Sequence, residues 1–126
     1  MKPEILFVDD EEQIRSLLAE YFGRKGYATR TAATANEAQQ ALADQMPSLV
    51  VLDVELRESD GFALLESIRA KHANLPIMML TGRGVDLELL NMALNKGANG
   101  YMSKGLPLDQ LLAQVQLLLK TSGSVI

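Results

Sequence analysis

The stretch "ILFVDDEEQIRSLLAEYF", residues 5 to 22, holds the unit from which the chain is built. Four apolar residues in succession, without polar alternation, describe a short strand covered on both faces, as in a parallel sheet. Four carboxylates follow (Asp9, Asp10, Glu11, Glu12), and then Ile14, Leu17, Leu18, Tyr21 and Phe22 fall on one face of an amphipathic helix. A buried strand that ends in clustered negative charge needs something to offset the repulsion: solvent, a helix terminus, a cation, or a mixture of these.

The unit recurs. "LVVL" (49–52) and "IMML" (77–80) repeat the apolar strand, and "YATRT" (27–31) and "NGYM" (99–102) are weaker versions of it. A helix near 36–44 is signalled by Thr34 with Glu37 three residues on, a capping box. Phe62, Leu65 and Ile68 mark another after Gly61, Leu87, Leu90, Ala93 and Leu94 a fourth, and Leu108, Leu111, Leu112, Val115, Leu118 and Leu119 the last. Five strands alternating with five helices, joined by right-handed crossovers, give an α/β, doubly wound domain with helices on both faces of a five-stranded parallel sheet. Pro47 and Pro76 stand just before strands three and four, where a fixed φ and a missing amide stop the preceding segment from running on.

A chain of 126 residues, 48% hydrophobic and 22% charged, fits one globular domain with an aliphatic core. We expect that domain to cover residues 1–121, with 122–126, inside "TSGSVI", as a tail or the start of a linker. With no cysteine and one histidine, His72, thiolate metal sites, disulfides and His-rich zinc clusters are excluded. The net charge of −4, from 12 basic and 16 acidic residues with no basic arm, argues against direct nucleic-acid binding. "MKPEILFVDD" matches neither a signal peptide nor a lipidation motif, and no apolar run approaches a membrane span, so the expected compartment is the cytoplasm.

In open α/β sheets the site lies outside the carboxyl ends of the strands. The residues there are Asp9 and Asp10 after strand one, Asp53 after strand three, Thr81 after strand four and Lys104 past strand five. Each has a plain structural reading: Asp10 with Gln13 as a helix cap, Asp53 as a solvated strand end, Thr81 before Gly82 as a turn residue, Lys104 as a surface lysine. Together they are more specific. Carboxylates from two strands form a hard, oxygen-only site suited to Mg²⁺, and a phosphoryl group bound beside it would meet a hydroxyl and an ammonium.

The segments "VDDEEQIRSLL", "LVVLDVELRESDGFALLESIR", "IMMLTGRG" and "GANGYMSKG", in this order and spacing, resemble the receiver domain of two-component response regulators, of the chemotaxis-regulator type, over about residues 3 to 120. The resemblance implies a flavodoxin-like fold with strand order 2-1-3-4-5. It implies that Asp53 accepts a phosphoryl group from a phosphohistidine on a sensor histidine kinase or phosphotransfer protein. It also implies that Asp9, Asp10, Asp53 and the backbone carbonyl of Glu55 hold Mg²⁺, while Thr81 and Lys104 contact the phosphoryl group. Tyr101 matches the aromatic that turns inward with Thr81 and reshapes the surface of helix four, strand five and helix five toward a downstream effector; it also reads as an ordinary half-buried tyrosine. By the same resemblance the domain is a signalling module that catalyses only its own phosphorylation and dephosphorylation.

The chain departs from the family pattern in two places. Gly105 stands where many receivers have a proline in a cis peptide after the lysine, and Leu56-Arg57 replaces a common Met-Pro, implying a less rigid loop. Glu55, two past Asp53, and Arg83, two past Thr81, occupy positions that flank the phosphoryl group in the family, and we expect them to pair and to tune hydrolysis. Gly82 and Gly84 suggest a mobile loop after strand four. Two other functions compete: a degenerate receiver that binds partners without phosphorylation, and a small Mg²⁺-dependent phosphatase, which would need a cap that the chain has no insertion to build. Residues 84–126 carry three acids (Asp86, Glu88, Asp109) and three bases (Lys96, Lys104, Lys120), a balance that gives no preference for or against a homodimer through helix four, strand five and helix five.

Overall fold

The computed structural model describes residues 2–56, 59–84 and 86–123, with side chains as far as residue 120. Five strands, β1 (Glu4–Val8), β2 (Ala28–Ala32), β3 (Leu49–Asp53), β4 (Ile77–Thr81) and β5 (Gly100–Ser103), form a parallel sheet in the order β2-β1-β3-β4-β5. The helices are α1 (Glu12–Arg24), α2 (Ala35–Asp44), α3 (Gly61–Lys71), α4 (Leu87–Asn95) and α5 (Leu108–Gly123). This is the expected doubly wound architecture with the expected strand order.

The unbroken apolar runs are explained by the pleat, which sends successive side chains to opposite faces, both of them covered. Leu6, Val8, Val50, Leu52, Ile77 and Met79 pack with Ala38 and Leu42 of α2, Leu64, Leu65 and Ile68 of α3 and Ala93 of α4. Ile5, Phe7, Leu49, Val51, Met78 and Leu80 pack on the other face with Leu18 and Phe22 of α1 and Leu111 and Val115 of α5. Phe7 and Phe22 meet with ring centroids 5.3 Å apart.

Helix starts follow local chemistry. Thr34 accepts from the Glu37 amide while Glu37 accepts from the Ala33 amide, so the capping box forms with its return bond one residue early. Asp60 and Asp86 cap α3 and α4 by accepting from first-turn amides. Glu11 holds the cap position of α1 with no cap bond from its own side chain, and its amide donates to Asp9 Oδ1 at 2.9 Å. The apolar face read for α4 is only partly internal. Ala93 is buried, but Leu87 and Leu94 are 69% and 49% exposed.

Between β3 and α3, Glu55–Leu56 and Ser59–Asp60 form a two-residue antiparallel ladder; Arg57, the second half of the Leu56-Arg57 replacement, lies outside the described residues. Gly61, opening α3, presses on the end of β3. A Cβ there would overlap the Asp53 carbonyl oxygen and come within 2.6 Å of the Val54 one, and the Gly61 amide donates to Val54 O at 3.0 Å. At the opposite edge Arg69 of α3 donates to the Gly97 carbonyl (2.7 and 3.0 Å), to Asn99 Oδ1 and to the carbonyls of His72 and Ala73, and Glu66 pairs with Lys96 at 3.1 Å. These bonds fasten the end of α4 to α3. Every described peptide bond is trans, Lys104–Gly105 included. No described helix is long and apolar enough to cross a membrane.

Candidate functional site

Ladder pairing brings the strand ends level. Asp53 lies opposite Leu80 and Thr81 opposite Ser103, so the residues just past the ladders converge on one rim. Asp9, Asp53 and Thr81 are 2%, 3% and 0% exposed, unusual burial for two acids. One carboxylate oxygen from each of Asp9, Asp10 and Asp53 lies within 4.8 Å of the others.

The backbone aims these groups. Asp53 Oδ1 accepts from the Glu55 amide (3.1 Å) and Thr81 Oγ1 from the Arg83 amide (3.1 Å), the same two-residue turn that Asp9 makes with Glu11. Arg15 donates from α1 to the Asp9 carbonyl at 2.8 Å, and the Lys104 amide donates to Thr81 O at 2.8 Å, bringing the β5 exit beside β4.

Lys104 Nζ is the cation at the centre. It lies 2.8 Å from Asp9 Oδ2, 3.0 Å from Asp53 Oδ2 and 3.3 Å from Glu11 Oε1. The Asp53 contact is a hydrogen bond, whereas the Asp9 Oδ2 contact lacks hydrogen-bond geometry and leaves that buried oxygen without a hydrogen bond. Burial pushes the Asp53 carboxyl up to about 6, against the bonds from Lys104 and the Glu55 amide that favour its charged form, and the neighbouring Asp9 adds to the rise. Burial opposes the charge on Lys104 as well, but its close ion pairs with Asp9 and Asp53 outweigh this and hold the ammonium above the ordinary lysine range. Burial, more than repulsion from Asp9, is what makes the ionised Asp53 costly in this site. Three convergent carboxylates, one with a buried oxygen short of a hydrogen bond, are a donor set that fits a hard divalent cation.

Beside Asp53 and Thr81, Glu55 and Arg83 meet: Glu55 Oε2 lies 3.0 Å from Arg83 Nη2 and 3.2 Å from Nε. Tyr101 on β5 packs against the α2–α4 side of the core, and its buried hydroxyl has no hydrogen-bond partner among the described residues. Gly84, Leu90, Tyr101, Met102, Ser103 and Leu106 line a shallow apolar pocket there. Of the residues singled out from the sequence, Asp9, Asp10 and Asp53 converge, Lys104 reaches Asp9 and Asp53, and Glu55 pairs with Arg83, while Tyr101 lies on β5 beside the apolar pocket. Two contacts had no readable signal: Arg15 on the Asp9 carbonyl and Glu11 on Lys104, the latter joining residues 93 positions apart.

The family model described as "Response regulator receiver domain" matches residues 5–116. Among curated proteins the chain is 37% identical over 118 residues to the transcriptional regulatory protein GltR of Pseudomonas aeruginosa, covering 92% of this chain and 48% of that protein. It is 35% identical over 122 residues to the alkaline phosphatase synthesis transcriptional regulatory protein PhoP of Bacillus subtilis, covering 97% and 50%. The chain thus spans about half the length of these relatives. Among solved structures, a CheY-like receiver domain protein from Methanospirillum hungatei superposes with a TM-score of 0.92 at 27% identity, covering 98% of both chains. The receiver domain of NtrX from Brucella abortus superposes with a TM-score of 0.87 at 39% identity, covering 93% of this chain and 98% of that one.

Proposed function

Because this chain belongs to the response regulator receiver domain family, we propose that it is the phosphorylation-gated part of a two-component system, taking a phosphoryl group from a sensor kinase or phosphotransfer protein onto Asp53. The observation that carries this reading is the Asp53 carboxylate: buried, fixed by the Glu55 amide, bonded to Lys104 and flanked by Asp9, Asp10 and Thr81. A carboxylate is a weak nucleophile, so the site must act by positioning and by neutralising charge.

In the proposed step an Asp53 oxygen bonds to phosphorus while the N–P bond of the donor phosphohistidine breaks and the imidazole keeps the electron pair. Lys104 exchanges its Asp53 contact for a phosphoryl oxygen, and the Thr81 hydroxyl donates to another. Asp9, Asp10, Asp53 and the Glu55 carbonyl are the residues that would hold Mg²⁺, which when bound supplies charge neutralisation and a template for the phosphoryl oxygens. Hydrolysis returns the group to water. The Glu55–Arg83 ion pair would hinder that water and so tune the lifetime. Thr81 and Tyr101 relay the change to the surface of α4, β5 and α5, where an effector domain or protein, or a second copy of the chain, would dock. The domain works in the cytoplasm, touches neither nucleic acid nor membrane itself, and catalyses only its own phosphorylation and dephosphorylation.

The test is intact mass after incubation with Mg²⁺ and acetyl phosphate, for the wild type, for Asp53→Asn and for the wild type in EDTA. A single phosphoryl adduct that requires both Asp53 and Mg²⁺ is expected. No adduct on the wild type would turn the reading toward a receiver that binds partners without phosphorylation.

A further inference from the structure

Lys104 Nζ has three acidic neighbours, and two of them, Asp9 and Asp53, belong to the carboxylate cluster itself. An ammonium 2.8 Å from Asp9 Oδ2 competes for that oxygen with any divalent ion, because the two positive charges repel at such range. Ion binding at Asp9 therefore requires Lys104 to withdraw. A lysine withdrawn into solvent would be lost to Asp53 and would give up the partners that keep it ordered.

The third neighbour offers another destination. Glu11 lies outside the cluster of Asp9, Asp10 and Asp53, has a largely exposed side chain, and holds the longest of the three contacts at 3.3 Å. Its position is fixed relative to the site, since its amide donates to Asp9 Oδ1 and its carbonyl accepts the Arg15 amide in the first turn of α1. We propose that Glu11 is a positioning residue that takes over the Lys104 ammonium when a divalent ion occupies the Asp9, Asp10 and Asp53 carboxylates, keeping the lysine beside Asp53 for the incoming phosphoryl group. The contact shortens as Lys104 leaves Asp9, so Glu11 favours the ion-bound form. The inference rests on the divalent-ion reading of the site given above.

Mg²⁺ titration by calorimetry at constant ionic strength, on the wild type, Glu11→Gln, Lys104→Met and the double variant, separates the possibilities. Glu11→Gln should weaken Mg²⁺ binding about three- to fivefold when Lys104 is present, the range of an exposed ion pair, and leave it unchanged in the Lys104→Met background. Glu12→Gln removes an adjacent charge and should change little. An equal loss in both backgrounds would show Glu11 acting on the ion through space, and a wild-type affinity or tighter binding in Glu11→Gln would remove its role; either result overturns the inference while leaving the metal site standing. Absence of Mg²⁺ binding by the wild type would overturn the metal reading and the inference with it.

Discussion

Replacing the buried carboxylate Asp53 with asparagine should stabilise the metal-free domain, and the gain should grow with pH. The carboxyl is pushed from an ordinary 3.8 to about 6 in the fold. A folded-state pKa above the unfolded one means that the stability linked to this group is fully present below pH 3.8 and is lost as the pH rises through about 6. Some 2 pKa units, at about 1.4 kcal/mol each, set an upper bound of about 3 kcal/mol at neutral pH. Solvent screening at the open rim and one mismatch reduce it. The wild-type oxygens accept from both Lys104 Nζ and the Glu55 amide, whereas a carboxamide has a single oxygen and leaves one of those donors facing an NH₂. A lost bond of about 1 kcal/mol leaves a net gain of about 1–2 kcal/mol. The assay is urea unfolding in EDTA from pH 4 to pH 8, comparing midpoints at constant slope. Asp53→Asn should gain little at pH 4 and reach its plateau near pH 7, and added Mg²⁺ should narrow the gap by stabilising the wild type more. A variant no more stable than the wild type at pH 7 in EDTA would refute the account of an ionised carboxyl that burial disfavours.

Four other substitutions follow from the same structure. Glu55→Ala and Arg83→Ala should each shorten the lifetime of the phosphorylated protein, followed by intact mass after the donor is removed, and unchanged decay in both would eliminate the pair as a barrier to water. Tyr101→Phe should raise the stability to urea by about 1 kcal/mol, because the buried hydroxyl it deletes has no described hydrogen-bond partner; a loss of that size would mean the hydroxyl is bonded. Gly61→Ala should cost about 1–3 kcal/mol, since the new methyl meets the Asp53 and Val54 carbonyls rather than flexible side chains. A thermal midpoint matching the wild type would disprove that close approach.

The sheet was legible because burial on both faces removes polar alternation, and "ILFV", "LVVL" and "IMML" all became central strands. The rim residues were legible for a related reason: parallel strands present their carboxyl ends together, so residues that follow apolar runs meet in space. The helix faces were less so. Apolar spacing marked the helix α4, yet Leu87 and Leu94 of that stripe are exposed, because periodicity locates an apolar stripe without saying whether core or solvent covers it. Apart from the Glu55–Arg83 pair, long-range polar contacts left no trace. Nothing local to Arg69 marks Gly97 as its partner, and nothing local to Glu11 marks Lys104.

The fastening of α4 at one end bears on how energy is distributed through the domain. α3 buries five of its residues and α4 only Ala93, so the core contributes far less to holding α4 down. Its terminus beside Gly97 is gripped by Arg69 and Glu66, while its start follows Gly84, whose left-handed φ of 76° belongs to a turn rather than a packed element. Amide hydrogens in α4 should therefore exchange through local opening, well before those of β1 and β3, with the tethered end the last to fray. On this reasoning α4, whose Leu90 lines the Tyr101 pocket, should open as a unit apart from the central strands.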